Sequence, residues 1–331
     1  MSNRSTTIAV FGAYGHTARF VVRSLREVGL KVVEVGRDRG RLPAAGVVAV
    51  VDDPVSLDRA FDGVGAVVNC AGPFLDTAGP VVEAALRAGA HYVDIAAEQG
   101  VTMELLGRYD APARQAGVAV VPSAAFYGGL GDLLVTAALG DWTSVDDVRI
   151  AIALSSWLPT EGTRRTIARN TGRHVVFTDN EFVPAPSVPG TVLWRFPHRA
   201  GEQRLTELST SDQVTIAHHV RTPRVSVHVN AEPLADLRDP ASPPPPPVDD
   251  LGRSAQTFHV DAVVSRDGVH RRASASGQDI YAVSGPLAAG VVARLLDDRP
   301  SPTGAVTAGR LLDGGGFLRS LDPAHLAFSV G

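Results

Sequence analysis

The chain has 331 residues, enough for two domains or one large elaborated one. Its 44% apolar and 20% charged residues are globular proportions, and a formal net charge of -4 gives no electrostatic reason for nucleic acid or an anionic membrane as partner. Its apolar runs are too short to span a bilayer, and its single cysteine, Cys70, excludes an intrachain disulfide and a multi-cysteine metal site. The N-terminus "MSNRSTT" lacks a hydrophobic signal region, so the expectation is a soluble, cytoplasmic protein. All 31 basic residues but Lys31 are arginine, and Schiff-base chemistry through a protein lysine is therefore not expected.

In chain order, "TTIAVFG" is a compact β-rich run. Residues 16–28 follow with Ala18, Val21, Val22, Leu25 and Val28 at helical spacing and Gly29 as a stop. Five more short apolar runs come next: "KVVEVG", "VVAVVD", "GAVVNCAG", "HYVDIA" and "VAVVPS". Helical stretches at Ala78–Ala88 and Thr102–Ala116 separate some of them. Strands this uniformly apolar suit a parallel sheet covered on both faces, so the first 126 residues predict a six-stranded, doubly wound α/β domain with right-handed crossovers. Residues 128–139 read as a helix. The texture then changes: "VDDVRIAIAL", "TVLWRF", "PRVSVHVN" and "QTFHVDAVVSRDGVHRRASASG" alternate as antiparallel strands do, and Asp267-Gly268 marks a hairpin turn. An α+β domain with an open antiparallel sheet is expected over 127–302. The five consecutive prolines in "DPASPPPPPVDD" are expected to form an extended, solvent-facing loop within it. Residues 281–297 read as helix, and a final strip, 303–331, packs back onto the first domain.

The stretch "IAVFGAYGHTAR" carries the main functional signal. Gly12 ends a strand where a sharp turn is needed, and Gly15 opens a helix where a missing Cβ lets a ligand approach the backbone. The helix N-terminus offers unpaired N–H groups and a positive dipole end to a pyrophosphate, with Ala18 small enough for close helix–strand packing. Tyr14, His16 and Thr17 belong to the same cofactor site. The second strand ends "VGRDR", placing Arg37 where an NAD site usually has an acid, with Arg39 and Arg41 close by. A guanidinium fork suits a 2′-phosphate, which favours NADP(H) over NAD(H), unless Glu34 or Asp38 takes the ribose. Asp52, closing the third apolar run, is counted with the cofactor residues. A surface loop of charged residues is the alternative for the arginines.

These motifs, with "VVNCAGPFLDTAGPVVEAALRAGAHYVDIAAEQG", resemble the saccharopine dehydrogenase-like oxidoreductases, including trans-acting enoyl reductases. The match is dense over 7–125 and looser in "TEGTRRT", "QDIYAVSGPLAAGVV" and "GGGFLRSLDP". The resemblance implies an N-terminal Rossmann domain, a second domain whose sheet faces the nicotinamide, frequent dimerisation, and hydride transfer with NADP(H) or NAD(H). Cys70, Ala71, Gly72 and Pro73 then border the nicotinamide half of the site, with Cys70 read as a small thiol ahead of a nucleophile. Phe74, Glu98 and Arg164 are candidate substrate contacts, and Asp94 faces the same cleft. Two departures stand out: Ile95-Ala96-Ala97-Glu98 lacks the family's usual hydroxyl and glycine, and Ala125-Phe126-Tyr127 replaces a common glycine–phenylalanine pair. A smaller or more hydrophobic substrate than saccharopine fits better.

Hydride transfer also needs a group that supplies the proton. Tyr127 is the first candidate acid, with an aromatic plug between domains as its alternative. Thr163 resembles the family's glycine–threonine element near the nicotinamide, and His219 is a second proton-donor candidate. Adjacent histidines such as His218 and His219 point in different directions on regular structure, so no metal site is expected. His174, His198 and His228 read as structural. Three functions remain open: a reductase of enoyl or imine substrates, a redox-neutral NADP(H)-using synthase, and a non-catalytic NADP(H) sensor.

Overall fold

The computed structural model describes residues 5–172, 174–197, 201–300 and 302–331, so His198 lies outside the described residues. The chain begins β1 (Thr7–Phe11), α1 (His16–Glu27), β2 (Lys31–Gly36), β3 (Val47–Val48), α2 (Pro54–Phe61), β4 (Ala66–Asn69) and α3 (Phe74–Arg87). It continues through β5 (His91–Asp94), α4 (Gln99–Arg108), α5 (Asp110–Ala116) and β6 (Ala119–Val121). Then come α6 (Gly129–Leu139), β7 (Asp147–Leu154), α7 (Glu161–Arg169), β8 (Val175–Thr178), β9 (Glu181–Pro184), β10 (Thr191–Arg195) and β11 (Glu202–Glu207). The remainder is α8 (Ser211–Ala217), β12 (Val225–Asn230), α9 (Ala231–Arg238), β13 (Thr257–Arg266), β14 (Val269–Gln278), α10 (Ile280–Leu296), β15 (Gly304–Ala305), α11 (Ala308–Leu311), α12 (Gly314–Ser320) and β16 (Leu326–Val330).

The first sheet is parallel, in the order β15-β6-β5-β4-β1-β2-β3, a Rossmann-like arrangement. Alternation along β1 divides two cores: Ile8 and Val10 pack with Val21 and Leu25 of α1, while Ala9 and Phe11 pack with Leu57, Phe61 and Val81. The first core runs on without a break into Ile150 and Ile152 of β7 and Phe258 and Val260 of β13, so both sheets share it.

Four local expectations change. The third strand is only Val47–Val48, because Val50 N–H bonds to Ser56 Oγ (3.1 Å) and the chain turns toward the Asp53 cap of α2. The helix expected over 102–116 breaks at Tyr109, since Pro112 has no N–H to give to the Arg108 carbonyl one turn earlier. The second sheet, β10-β11-β12-β7-β13-β14-β16 with β8 and β9 at its side, is mixed: β12 runs parallel to β7. The long intervening segment makes that crossover possible. The C-terminal strip divides, β15 extending the first sheet and β16 pairing with β14 of the second. Asp267 and Gly268 both take positive φ in the β13–β14 hairpin, and residues 243–247, the five prolines, are in no strand or helix.

α10 reaches the first domain through one small residue. A Cβ on Gly285 would lie 2.7 Å from the Phe20 carbonyl oxygen of α1, so only glycine allows the two helices to approach this closely. Tyr281, one turn earlier on the same face, is thereby brought to the start of α1.

Candidate functional site

The corner after β1 is shaped by backbone. Gly12 (φ +78°) and Ala13 both donate to the Val35 carbonyl of β2, at 2.8 and 3.2 Å, which folds the chain across the strand ends. A Cβ on Gly12 would meet Ala71 at 2.8–2.9 Å, so this glycine is required by packing as well as by φ. Gly15 is the N-cap of α1, and no side chain caps the helix there and no acid lies in its first turn. The leading N–H groups of α1 therefore have no side-chain acceptor, and the dipole end beside Gly15, His16 and Thr17 is set up for an anion. Ala18 is fully buried against the sheet.

At the end of β2 the three arginines separate. Arg39 donates to the carbonyls of Pro43, Ala44 and Gly46 and braces its own loop. Arg41 lies over the Tyr14 ring, 4.3 Å from its centroid, and the edge of that ring rests against Gly36, where a Cβ would stand 2.5 Å from Tyr14 Cε1. Arg37 is exposed and, among the described residues, makes no hydrogen bond or ion pair. The acids that could take a ribose are engaged elsewhere: Glu34 pairs with Arg26 (2.7 Å) and Asp38 accepts from the Gly40 N–H (2.9 Å). Asp52 is exposed at the start of the turn before α2.

The loop after β4 is fixed from below. Buried Asn69 donates to Thr77 Oγ1 (3.2 Å) and the Tyr92 hydroxyl (3.3 Å) and accepts from Ala71 N–H (3.0 Å). Asp94 is not open to the cleft: its carboxylate accepts from Tyr92 OH and from the N–H groups of Ala96 and Ser123, at 2.7–3.0 Å. Burial raises it to about 6 despite those donors. Glu98 is also buried, with one oxygen accepting from Phe74 N–H at the start of α3 and the other from Ala97 N–H. Burial pushes the Cys70 thiol well up, with the Asp94 charge adding to it, which makes a thiolate nucleophile unfavourable. Gly72 passes under α7, where a Cβ would stand 2.9 Å from Thr166 Oγ1, and Arg169 of α7 pairs with Asp76 of α3 (2.9 Å). Pro73 is the N-cap residue of α3.

Tyr127 and Thr163 belong to one wall. Tyr127 stacks on Trp157 (5.3 Å between centroids), its buried hydroxyl has no partner, and burial holds it protonated well above the usual tyrosine range. The Thr163 hydroxyl lies 3.2 Å from the Tyr281 hydroxyl and 3.0 Å from Thr160 Oγ1. The Tyr281 ring in turn meets the His16 ring edge-to-face at 5.3 Å, linking this wall to the dinucleotide corner. Burial and the nearby Arg19 lower His16 to about 4, and its buried Nε2 has no partner. Sequence reasoning gave Tyr281 only a helical address; the small-residue run Ser284-Gly285 behind it was the available signal. His219 is held elsewhere, its Nε2 2.5 Å from Asp132 Oδ1 while Asp132 Oδ2 accepts from Gly309 N–H (2.6 Å). Burial alone would lower His219, but the Asp132 charge and hydrogen bond carry it above its ordinary value. Among the described residues no hydrogen bond or ring contact joins it to Tyr127 or Thr163. Arg164 donates to the Asp239 and Ser242 carbonyls and ties α7 to the proline-rich loop.

Residues 8–121 match the saccharopine dehydrogenase NADP binding domain. The whole chain is similar in structure to apo saccharopine dehydrogenase (L-Glu forming) from Saccharomyces cerevisiae, with a TM-score of 0.66, 11% identity, and 98% of this chain and 99% of that one covered. More distant are GenD2 from gentamicin A biosynthesis in complex with NAD (TM-score 0.46, 13% identity, 99% and 97% covered) and the C. glutamicum DAP dehydrogenase (0.46, 13%, 93% of each). No curated protein matches the sequence. The chain shares the fold of that saccharopine dehydrogenase over its whole length. The uncapped start of α1 and the unpartnered His16 Nε2 beside it fit a dinucleotide at this corner. No helix among the described residues is long and apolar enough to cross a membrane.

Proposed function

We propose that the chain is an NADPH-dependent reductase that transfers a hydride to the C=C bond of an enoyl substrate or the C=N bond of an imine, in specialised metabolism. The observation that carries this reading is the charge arrangement at the end of β2, where Arg37 is unengaged and Glu34 and Asp38 are turned to other partners. A site without a ribose-binding acid and with a free guanidinium suits a 2′-phosphate.

In this reading the amides from Gly12 to Thr17 hold the pyrophosphate, Arg37 holds the 2′-phosphate, and Arg41 with Tyr14 borders the adenosine. Cys70 to Pro73 flank the nicotinamide end. Bound NADPH supplies the hydride. Tyr127 is the proposed proton donor, and Thr163 with Tyr281 orients the acceptor. The protein acts in the cytoplasm, as its composition suggests, and as a homodimer, as the family resemblance implies; sedimentation checks the dimer.

The test is NADPH fluorescence on binding, then loss of 340 nm absorbance with enoyl-thioester and cyclic-imine substrates. Preferred NADPH binding with turnover of one class is the expected result. Equal affinity for NADH overturns the phosphate reading, and tight binding without turnover overturns the reductase in favour of a sensor.

A further inference from the structure

A cavity of about 240 Å³ opens on the second-domain side of Tyr281, the residue whose ring also edges His16 at the dinucleotide corner. Ser155, Ser156 and Leu158 form one side of it, Ser254 and Ala255 another, and Pro245 and Pro246 of the proline-rich loop close it. None of the described residues lining it is charged. Its chemistry is one-sided as a consequence. Two prolines contribute ring faces and no N–H donor, and Gln256, the remaining polar wall, is already bonded to the Ser156 carbonyl and Ile280 N–H. The Ser254 hydroxyl is buried and has no partner.

The charges behind the walls point the same way. Arg164 is tied to carbonyls of the loop at 239 and 242, and Arg253 to Asp249 and the Ala324 carbonyl. Two carboxylates stand behind the lining: Asp279 accepts from Ser254, Tyr281 and Ala282 N–H groups, and Asp236 from Trp157 N–H. An anion entering this space would meet no cation among the described lining residues and would have acids behind the walls, so its charge would be poorly compensated.

We propose that this cavity is the subsite for an uncharged, mostly apolar part of the substrate bearing a hydrogen-bonding group within reach of Ser254, and that substrates carrying a carboxylate at that end are excluded. The inference rests on the reductase reading and narrows its substrate class. At this volume, below the roughly 300–1,000 Å³ of sites that enclose a drug-sized ligand, the cavity holds a short acyl or ring fragment and leaves any carrier outside.

The test uses two matched probes, the crotonyl thioester of N-acetylcysteamine, which is neutral, and its glutaconyl counterpart, which ends in a carboxylate. Binding is measured by saturation-transfer NMR with and without NADP⁺, so that it is read independently of cofactor and turnover. The neutral probe should bind at least about tenfold more tightly. Ala255 is exposed, so Ala255→Phe should be tolerated and should weaken the neutral probe while leaving NADPH affinity unchanged. Ala255→Arg should bring the glutaconyl probe to parity or better. Tighter binding of the glutaconyl probe to the wild type, or a neutral-probe affinity untouched by Ala255→Phe, overturns the proposal. Failure of NADPH to bind while the probe preference persists would instead sink the reductase reading alone.

Discussion

The corner at the start of α1 and the cavity lined by Tyr281 both border that aromatic ring and differ in charge. The corner gathers a helix N-terminus and the Arg37 guanidinium, with nearby acids held away by Arg26 and by the Gly40 amide. The cavity has serine hydroxyls and proline rings, with its nearest arginines tied to backbone. In the proposed reading, charge recognition is concentrated on the cofactor and the substrate end selects by shape and neutrality.

The largest expected effect breaks the corner. Gly15→Val should reduce NADPH affinity by at least about 100-fold while the fold persists, because a Cβ there meets only Gly12 O closely, at 3.1 Å, and the added methyls occupy the ligand's space. Gly12→Val should behave differently and unfold the domain, since its Cβ would collide with Ala71 backbone at 2.9 Å and its φ is +78°. Circular dichroism separates the two; a folded Gly12→Val protein would contradict the packing argument.

Next, Arg37→Glu should weaken NADPH by about 30-fold, the loss of a charge-assisted bond plus repulsion, and leave NADH within about threefold. Equal losses for both nucleotides would remove the phosphate contact from the comparison.

A smaller effect concerns stability away from both sites. His219 is raised by Asp132, so the pair's contribution is full below the ordinary histidine value of 6.5 and is lost as pH rises through the raised folded value. His219→Gln should therefore cost about 2 kcal/mol at pH 6 and less at pH 9, read by denaturant melts. An undiminished cost at pH 9 would mean that the pair is not what titrates. Smallest of all, Asp76→Asn opens the exposed pair with Arg169 and should change stability by less than about 1 kcal/mol.

The corner was legible in the sequence because its determinants are backbone ones: Gly12, Gly15 and Ala18 are close in sequence and their types report φ and close approach. Arg37 was legible for the same reason, lying one residue beyond a strand end. The wall was not, because Thr163, Tyr281 and Ser254 come from three distant segments of the chain. The partners of Arg164 and His219 were equally hidden: nothing local in "GTRRT" or "AHHV" announces the Ser242 carbonyl or Asp132. The parallel pairing of β12 with β7 escaped notice because alternation reports burial of one face and not the direction of the neighbouring strand.

The most direct measurement is diffraction from crystals grown with NADP⁺. The account predicts the pyrophosphate on the first-turn amides of α1 and the 2′-phosphate against the Arg37 guanidinium. Density for the nucleotide away from that helix start, or a 2′-phosphate pointing into solvent with Arg37 uninvolved, would contradict it.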